Sequence, residues 1–437
     1  MHRVIAISVA VLLLTCLQGS CSPSTRKTYL GVDADNWDGQ INDPRFEQSL
    51  RKMGLDFISW HILPNEESDP KRLDAIVQFC RRNHWAYLFN TEIANYERAV
   101  PAFEHPDGTY RYDLAINTLK SLKDDPLFLG VVYDEAELMQ SLQGERDQKG
   151  REIKPYFVDT RNLSPQEAFL EVSRKVGELV SRYQMYGKRV VFEMVFPDYP
   201  FAFARGGGLL APKLMKENYN DLMYNVYRGA ALEYHSPELW TCVDLWFLDR
   251  FPSNGKYSSG FHTPTELLDS LKYAYSAGFD YVYIEQYKGL LDQNFQLTEF
   301  GQKVVEFRSW TRDHSAGDWR DAPIKFYVKR FPDGYWGQVY STFIPDHPYG
   351  SWKKNPFAAS DGLWLKKLNE LSNGQIPPDA DTWNAQGSRI FRDKPYQAFA
   401  GLPAFVVFDH LAEIPKNSKA AALDFVPKSI TTNGNDN

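Results

Sequence analysis

LFLGVVYDEAE (residues 127–137) decides how this chain is read. Its first half is apolar at nearly every position, as a parallel strand buried on both faces is, and it ends abruptly in Asp134, Glu135 and Glu137. Burial leaves no room for a carboxylate midway along such a strand, whereas its C-terminal end can open on a crevice. The same pattern recurs in both directions along the chain. TYLGVD (28–33), LDFISWHI (55–62) and WAYLFNTE (85–92) precede it; RVVFEMV (189–195), VDLWFLD (243–249) and YVYIEQ (281–286) follow. Amphipathic stretches separate these runs and carry helix punctuation. Ser164-Pro165 with Glu167 and Thr263-Pro264 with Glu266 read as caps with Pro at the first helical position, and Gly278 reads as a stop.

Strand–helix alternation from Thr28 to about His314 is compatible with a barrel or with a doubly wound sheet. Two features favour a (β/α)₈ TIM-type barrel. No GxGxxG or GxxxxGK[ST] follows the first strand, and the Gly206–Gly208 run follows a loop rather than a strand and reads as a flexible loop itself. Acidic residues also recur where barrel enzymes build their sites, at the strand ends. Seven strands are convincing in the pattern, and IKFYVKRF (324–331) is the candidate for the eighth. Beyond about residue 320 the texture changes to WGQVY, DHPYGSW, a helical patch at 363–371, NGQIPPDADTW and a last apolar run, AFVVFDHL (404–411). The expected organisation is a signal segment (1–21), a linker (22–27), the barrel (28–320), a small α/β or β-rich appended domain (321–418) and a polar, disordered tail (419–437).

A chain of 437 residues with 43 % hydrophobic content supports a large core without cross-links. The net charge of −7, with no basic stripe, points away from nucleic acid as a partner. His2 and Arg3 precede an apolar run from Val4 to Leu14, too short for a bilayer span but suited to a signal peptide. The run leads to LQGSC, where Gly19 and Ser20 before Cys21 resemble a bacterial lipobox. Lipidation at Cys21 would tether an exported protein to a membrane at the cell surface or in the periplasm, and cleavage by a general signal peptidase would instead release it. Cys80, on a helical face with Leu73, Ile76 and Val77, reads as a small core residue; with Cys242 it cannot make a four-cysteine metal site.

Each acid has a chemical and a structural reading. Glu135, in a partly desolvated crevice, suits a general acid that protonates a leaving oxygen; Asp134 and Glu137 suit helix capping or substrate orientation. Glu285 suits a base or nucleophile, with a salt bridge to a basic neighbour such as Lys288 as its structural rival. Asp249 could share water activation with Glu285, its rival being a pairing with Arg250. Asp33, Asp35, Glu92, Glu193 and Asp198 are candidate hydrogen bonders to substrate hydroxyls or to backbone. His61 could face the crevice or be a satisfied structural histidine. Trp37, Trp60 and Trp246 lie near strand ends and are candidates for stacking on a sugar. No HExxH, GxSxG or close His/Cys ligand set is present, so neither a metal nor another cofactor is expected.

The YDEAE and YIEQ segments resemble those of the large clan of (β/α)₈ glycoside hydrolases with an acid/base on strand four and a second carboxylate on strand seven. The clan's frequent Asn-Glu on strand four is Asp134-Glu135 here. Asp249 on the supposed sixth strand more faintly resembles the inverting endo-β-galactosidases of glycoside hydrolase family 98. There a strand-four Glu is the acid, and an Asp and a Glu on later strands form the base. QLTEFGQKVVEF (296–307) is similar to the closing helix of such barrels. The resemblance implies hydrolysis of a glycosidic bond in an extracellular poly- or oligosaccharide, with Glu135, Glu285 and Asp249 as the catalytic set. Two rivals remain: a non-catalytic glycan-binding surface lipoprotein on a degenerate barrel, and a metal-dependent barrel hydrolase, which the few histidines disfavour.

Overall fold

A computed structural model describes residues 27–62, 70–91, 114–136, 158, 163, 165–194, 200–214, 220–244, 263–324, 326–330, 405–409, 411, 413–414 and 423–425. Eight strands, β1 (Tyr29–Ala34), β2 (Phe57–His61), β3 (Ala86–Asn90), β4 (Phe128–Asp134), β5 (Arg189–Met194), β6 (Leu209–Leu214), β7 (Trp240–Asp244) and β8 (Tyr281–Glu285), close into one barrel in sequence order. Every pairing is parallel, including the closing one between β1 and β8. With helices on its outside the architecture is a (β/α)₈ TIM barrel.

The eighth strand is not the one expected. LLAPKL (209–214) is β6, so VDLWFLD supplies β7 and YVYIEQ supplies β8. IKFYVKRF instead supplies β9 (Phe326–Arg330), the centre of a separate parallel sheet ordered β10 (Phe405–Asp409), β9, β11 (Leu423–Phe425). The last of these strands lies within the 419–437 stretch expected to be disordered. Pro212 and Lys213 hid β6 in the sequence, because a proline demotes a run to an edge and a lysine is rarely interior.

The helices follow their caps. In α1 (Pro44–Met53) the Asp43 side chain accepts from the Arg45 amide, and Gly54 closes the helix at φ 68°. Next come α2 (Pro70–Asn83), α3 (Ile116–Leu122), α4 (Pro165–Gln184), α5 (Pro200–Arg205) and α6 (Asn220–Glu233). Helix α4 starts at the expected Pro165, its cap Ser164 lying outside the described residues. In α7 (Pro264–Ala277) Thr263 and Glu266 form the complete capping box, and Gly278 ends the helix as read. A short turn, α8 (Tyr287–Leu290), leads to the closing helix α9 (Glu299–Trp310), which occupies the stretch singled out for that role. No described helix is long and apolar enough to cross a membrane.

Strand residues alternate between two cores. Outward-facing Val32, Trp60, Phe89, Tyr133, Phe192, Val243 and Ile284 join the helices. Inward-facing Phe57, Leu88, Val132, Val191, Leu209, Ala211, Trp240, Cys242, Tyr281 and Tyr283 fill the lumen. Tyr281 stacks on Trp240 with ring centroids 3.9 Å apart, and Phe57 meets Trp240 edge-on at 5.7 Å. Gly31 faces this plug: a Cβ there would fall 2.5 Å from the Phe57 ring. The lower lumen is solid, so a site inside the barrel lies above it.

Gly206–Gly208, expected to be a flexible loop, is instead a tight, packed turn between α5 and β6. A Cβ at Gly206 would meet Val176 at 2.5 Å, and one at Gly208 would meet Phe192 at the same distance. The C-terminal sheet is likewise fastened to the barrel. Val328, Phe405 and Val407 belong to the main core, and a Cβ on Gly229 of α6 would meet the Val407 carbonyl oxygen at 1.9 Å. Buried Arg228 donates to the carbonyl oxygens of Trp319 and Ala322, pinning the stretch where the domain boundary was expected.

Candidate active site

Strand parity builds the site. Continuing the inward-facing rows upward by two residues gives Asp33 on β1, His61 on β2, Asn90 on β3, Asp134 on β4, Glu193 on β5, Lys213 on β6, Asp244 on β7 and Glu285 on β8, all buried. Each strand thus contributes one polar residue to a single layer at the C-terminal mouth, and seven of the eight are acids or bases, set above the aromatic rings of the lower lumen. Register supports this: Asp134 lies beside Glu193 and Asp244 beside Glu285 in the paired strands.

Lys213 is the hub. Its ammonium nitrogen lies 2.7 Å from Glu285 Oε2, 3.1 Å from Glu193 Oε1, 3.2 Å from Glu135 Oε1, 3.3 Å from Asp134 Oδ1 and 3.6 Å from Asp244 Oδ2. Burial, the largest single influence, would pull the lysine towards the neutral amine. The charges of Asp134, Glu193, Glu285 and Glu135 together outweigh it and hold the ammonium well above the ordinary lysine range. Lys213 is therefore no free-amine nucleophile but a fixed positive charge. One ammonium shared by five carboxyls cannot neutralise them, so the mouth keeps a strong negative potential.

Glu193 responds to that surplus. Burial first, then the charge of Asp33, pushes its carboxyl upward against the opposing pull of Lys213, which favours a retained proton. Tyr283 donates its hydroxyl to the same carboxyl. Cys242, one layer below, is kept as the thiol by burial and by the charges of Glu193 and Glu285. On the other flank His61 Nε2 lies 3.2 Å from Asp33 Oδ2, and the Asn90 amide donates to Asp134 Oδ2 at 3.2 Å. Glu135, just past β4, is the outlier. Its side chain is 16 % exposed, against 0–3 % for the other carboxyls around Lys213. Its backbone sits at φ 52°, and its amide donates to the Glu193 carbonyl at 2.9 Å.

The structure thus brings together Glu135, Glu285, Asp134, Glu193, Asp33 and His61 from the expected set. The salt-bridge rival of Glu285 is realised with Lys213 and not with Lys288, which binds Asp35 at 2.8 Å. Asp35 also accepts from Gln40, so it braces the loop after β1. Trp37 is exposed under the Lys288 ammonium, 5.1 Å from ring centre to nitrogen. Trp60 is no sugar platform: it faces the helices, fully buried, with its indole N–H on Cys80 Sγ and its ring edge-on to Phe79. Cys80 is the core residue expected, its thiol pushed up to about 12 by burial. Glu92, Glu137, Asp198, Trp246, Asp249 and Cys21 lie outside the described residues. Lys213, Asp244 and Asn90 were missed. Asp244 and Asn90 carried a signal, since each sits at the inward parity in a strand that was recognised.

No family model matches the chain, and no curated protein does. Among solved structures, the catalytic domain of a β-amylase from Paenibacillus polymyxa is similar at 8 % identity, covering 64 % of this chain and 98 % of its own, with a TM-score of 0.38. A glucosidase from Croceicoccus marinus is similar at 10 % identity, covering 65 % and 68 %, with a TM-score of 0.40. A D-psicose 3-epimerase in the presence of D-fructose is similar at 11 % identity, covering 65 % and 99 %, with a TM-score of 0.34.

Proposed function

We propose that the protein is a glycoside hydrolase in which Glu135 is the acid/base and Glu285 the nucleophile. One observation carries the reading: Glu135 Oε1 and Glu285 Oε2 lie 3.2 and 2.7 Å from the same Lys213 nitrogen. These two oxygens can be no farther apart than the sum of those distances, a spacing nearer the roughly 5–5.5 Å of a retaining pair than the roughly 6.5–9.5 Å of an inverting one. The pair suits retention and so departs from the inverting chemistry of family 98. In this reading Glu135 protonates the glycosidic oxygen while Glu285 attacks the anomeric carbon. Glu135 then deprotonates the water that releases the sugar. The uncompensated carboxylates of the mouth favour the oxocarbenium-like transition state by its positive charge. Asp244, on strand seven, is a further acid of the ring, beside the role expected of Asp249. Export with lipidation at Cys21 would place the substrate, a poly- or oligosaccharide, outside the cytoplasm.

The test is turnover of a broad glycan panel with the product anomer read by proton NMR. Net retention is expected, and Glu135→Gln or Glu285→Gln should each cut kcat by about 10²–10⁴-fold with sugar binding kept. An inverted product refutes the assignment. Binding across the panel without cleavage would select the non-catalytic glycan-binding reading.

A further inference from the structure

The mouth of the barrel has two electrically different flanks. Lys213 is centred on the flank formed by β5, β6, β7 and β8 and reaches β4 at Glu135 and at Asp134 Oδ1, 3.3 Å away. On the other, Asp33, His61 and Asp134 each present one donor atom, and the three atoms lie within 4.8 Å of one another. Asp33 is completely buried, and its Oδ1 has no hydrogen-bond partner among the described residues. A buried carboxyl oxygen without a partner is expensive, and although His61 Nε2 lies 3.2 Å from the other oxygen, Oδ2, that atom too makes no hydrogen bond within the described residues. That spacing is one that two bonds of about 2.0–2.2 Å to a single ion would bridge. Asn90, donating to Asp134 Oδ2, is the kind of outer contact that orients a ligating carboxylate. A second donor trio, Glu193, Cys242 and Glu285, is a poor rival, because both of its carboxyls lie against the Lys213 ammonium, where only Asp134 of the first trio does, and burial keeps its cysteine protonated.

We propose that Asp33, His61 and Asp134 bind a divalent first-row metal ion, with Asn90 as a positioning residue. One imidazole and two carboxylates suit zinc or manganese better than calcium or magnesium, which prefer oxygen donors alone. A dication would also offset charge that a single ammonium leaves uncompensated. The inference is independent of glycoside hydrolysis: the site would exist equally in a barrel that binds sugars without cleaving them.

The experiment is metal binding by the protein stripped with chelator and dialysed, titrated calorimetrically with ZnCl₂ and with MnCl₂ while bound metal is counted by mass spectrometry. One ion per chain is expected, with a higher Tm on loading, as for any ligand that binds only the folded state. Asp33→Asn and His61→Gln should each weaken binding at least tenfold. Glu238→Gln, at the opposite end of the barrel, where Glu238 precedes β7 and pairs with Arg189 at the start of β5, should bind as the parent does. Zinc-edge X-ray absorption on the unmutated protein supplies a reading that needs no variant, and only nitrogen and oxygen ligands are expected. Absence of stoichiometric metal, undiminished binding in both site variants, or a sulfur ligand in the absorption spectrum would each overturn the proposal.

Discussion

A single side chain organises the chemistry of the mouth. Lys213 could be found neither from its neighbours in sequence nor from composition, because the proline and lysine of LLAPKL disguise a buried strand. Only barrel closure shows that the ammonium lies inside, with five carboxyls around it. Removing one partner of a buried ionic cluster strands the others, at a cost of roughly 3–5 kcal/mol. Lys213→Met is expected to destabilise the protein by about that much at neutral pH. The sign of its pH dependence follows from burial. Carboxyls deprived of the ammonium have folded-state proton affinities above their unfolded values, so stability is greatest at low pH and is lost as pH rises. The Tm deficit of the variant should be larger at pH 8 than at pH 5, and an equal deficit at both would refute the hub role.

At the scale of elements, much was legible and the exceptions are instructive. Apolar runs with acidic ends located seven of the eight strands, and caps at Thr263, Glu266 and Gly278 located helix α7. Asp134, Glu193 and Glu285 were legible because a carboxylate ending a buried run has nowhere to go but the mouth. Trp60 was misread because nearness to a strand end was weighed without parity. It adjoins His61, and two consecutive strand residues cannot face the same side. Which acids meet was not legible at all, since barrel stagger sets it and no local pattern encodes stagger. Trp60→Phe should therefore cost stability alone, roughly 1–3 kcal/mol as for a typical core substitution, with glycan affinity unchanged. A fall in affinity measured at matched folded fraction would return Trp60 to the site.

At the scale of the whole molecule, the C-terminal sheet is part of the barrel's own packing. The change of texture near residue 320 signalled a new unit, but not that Val407 would press on Gly229 or that β9 would belong there. The seam holds one titrating carboxyl, Glu233, paired with Asp409. The Asp409 amide donates to Glu233 Oε2 at 2.9 Å, Tyr234 donates to the Asp409 carboxyl, and burial followed by the charge of Asp409 pushes Glu233 up to about 9. Because that folded-state value is raised above the ordinary 4.5, the favourable contribution of this seam is complete below pH 4.5 and declines as pH climbs towards about 9. Glu233→Gln keeps an acceptor for the Asp409 amide and abolishes the titration, so it should flatten the Tm profile over that interval. A slope equal to the parent's would show that the pair does not link pH to stability. The ring at the mouth carries a further consequence. With one polar group drawn from every stave, no contiguous fragment of the chain contains the whole ring. During synthesis the ring stays incomplete until the final stave, β8, locks beside the first, and its assembly reports closure of the cylinder.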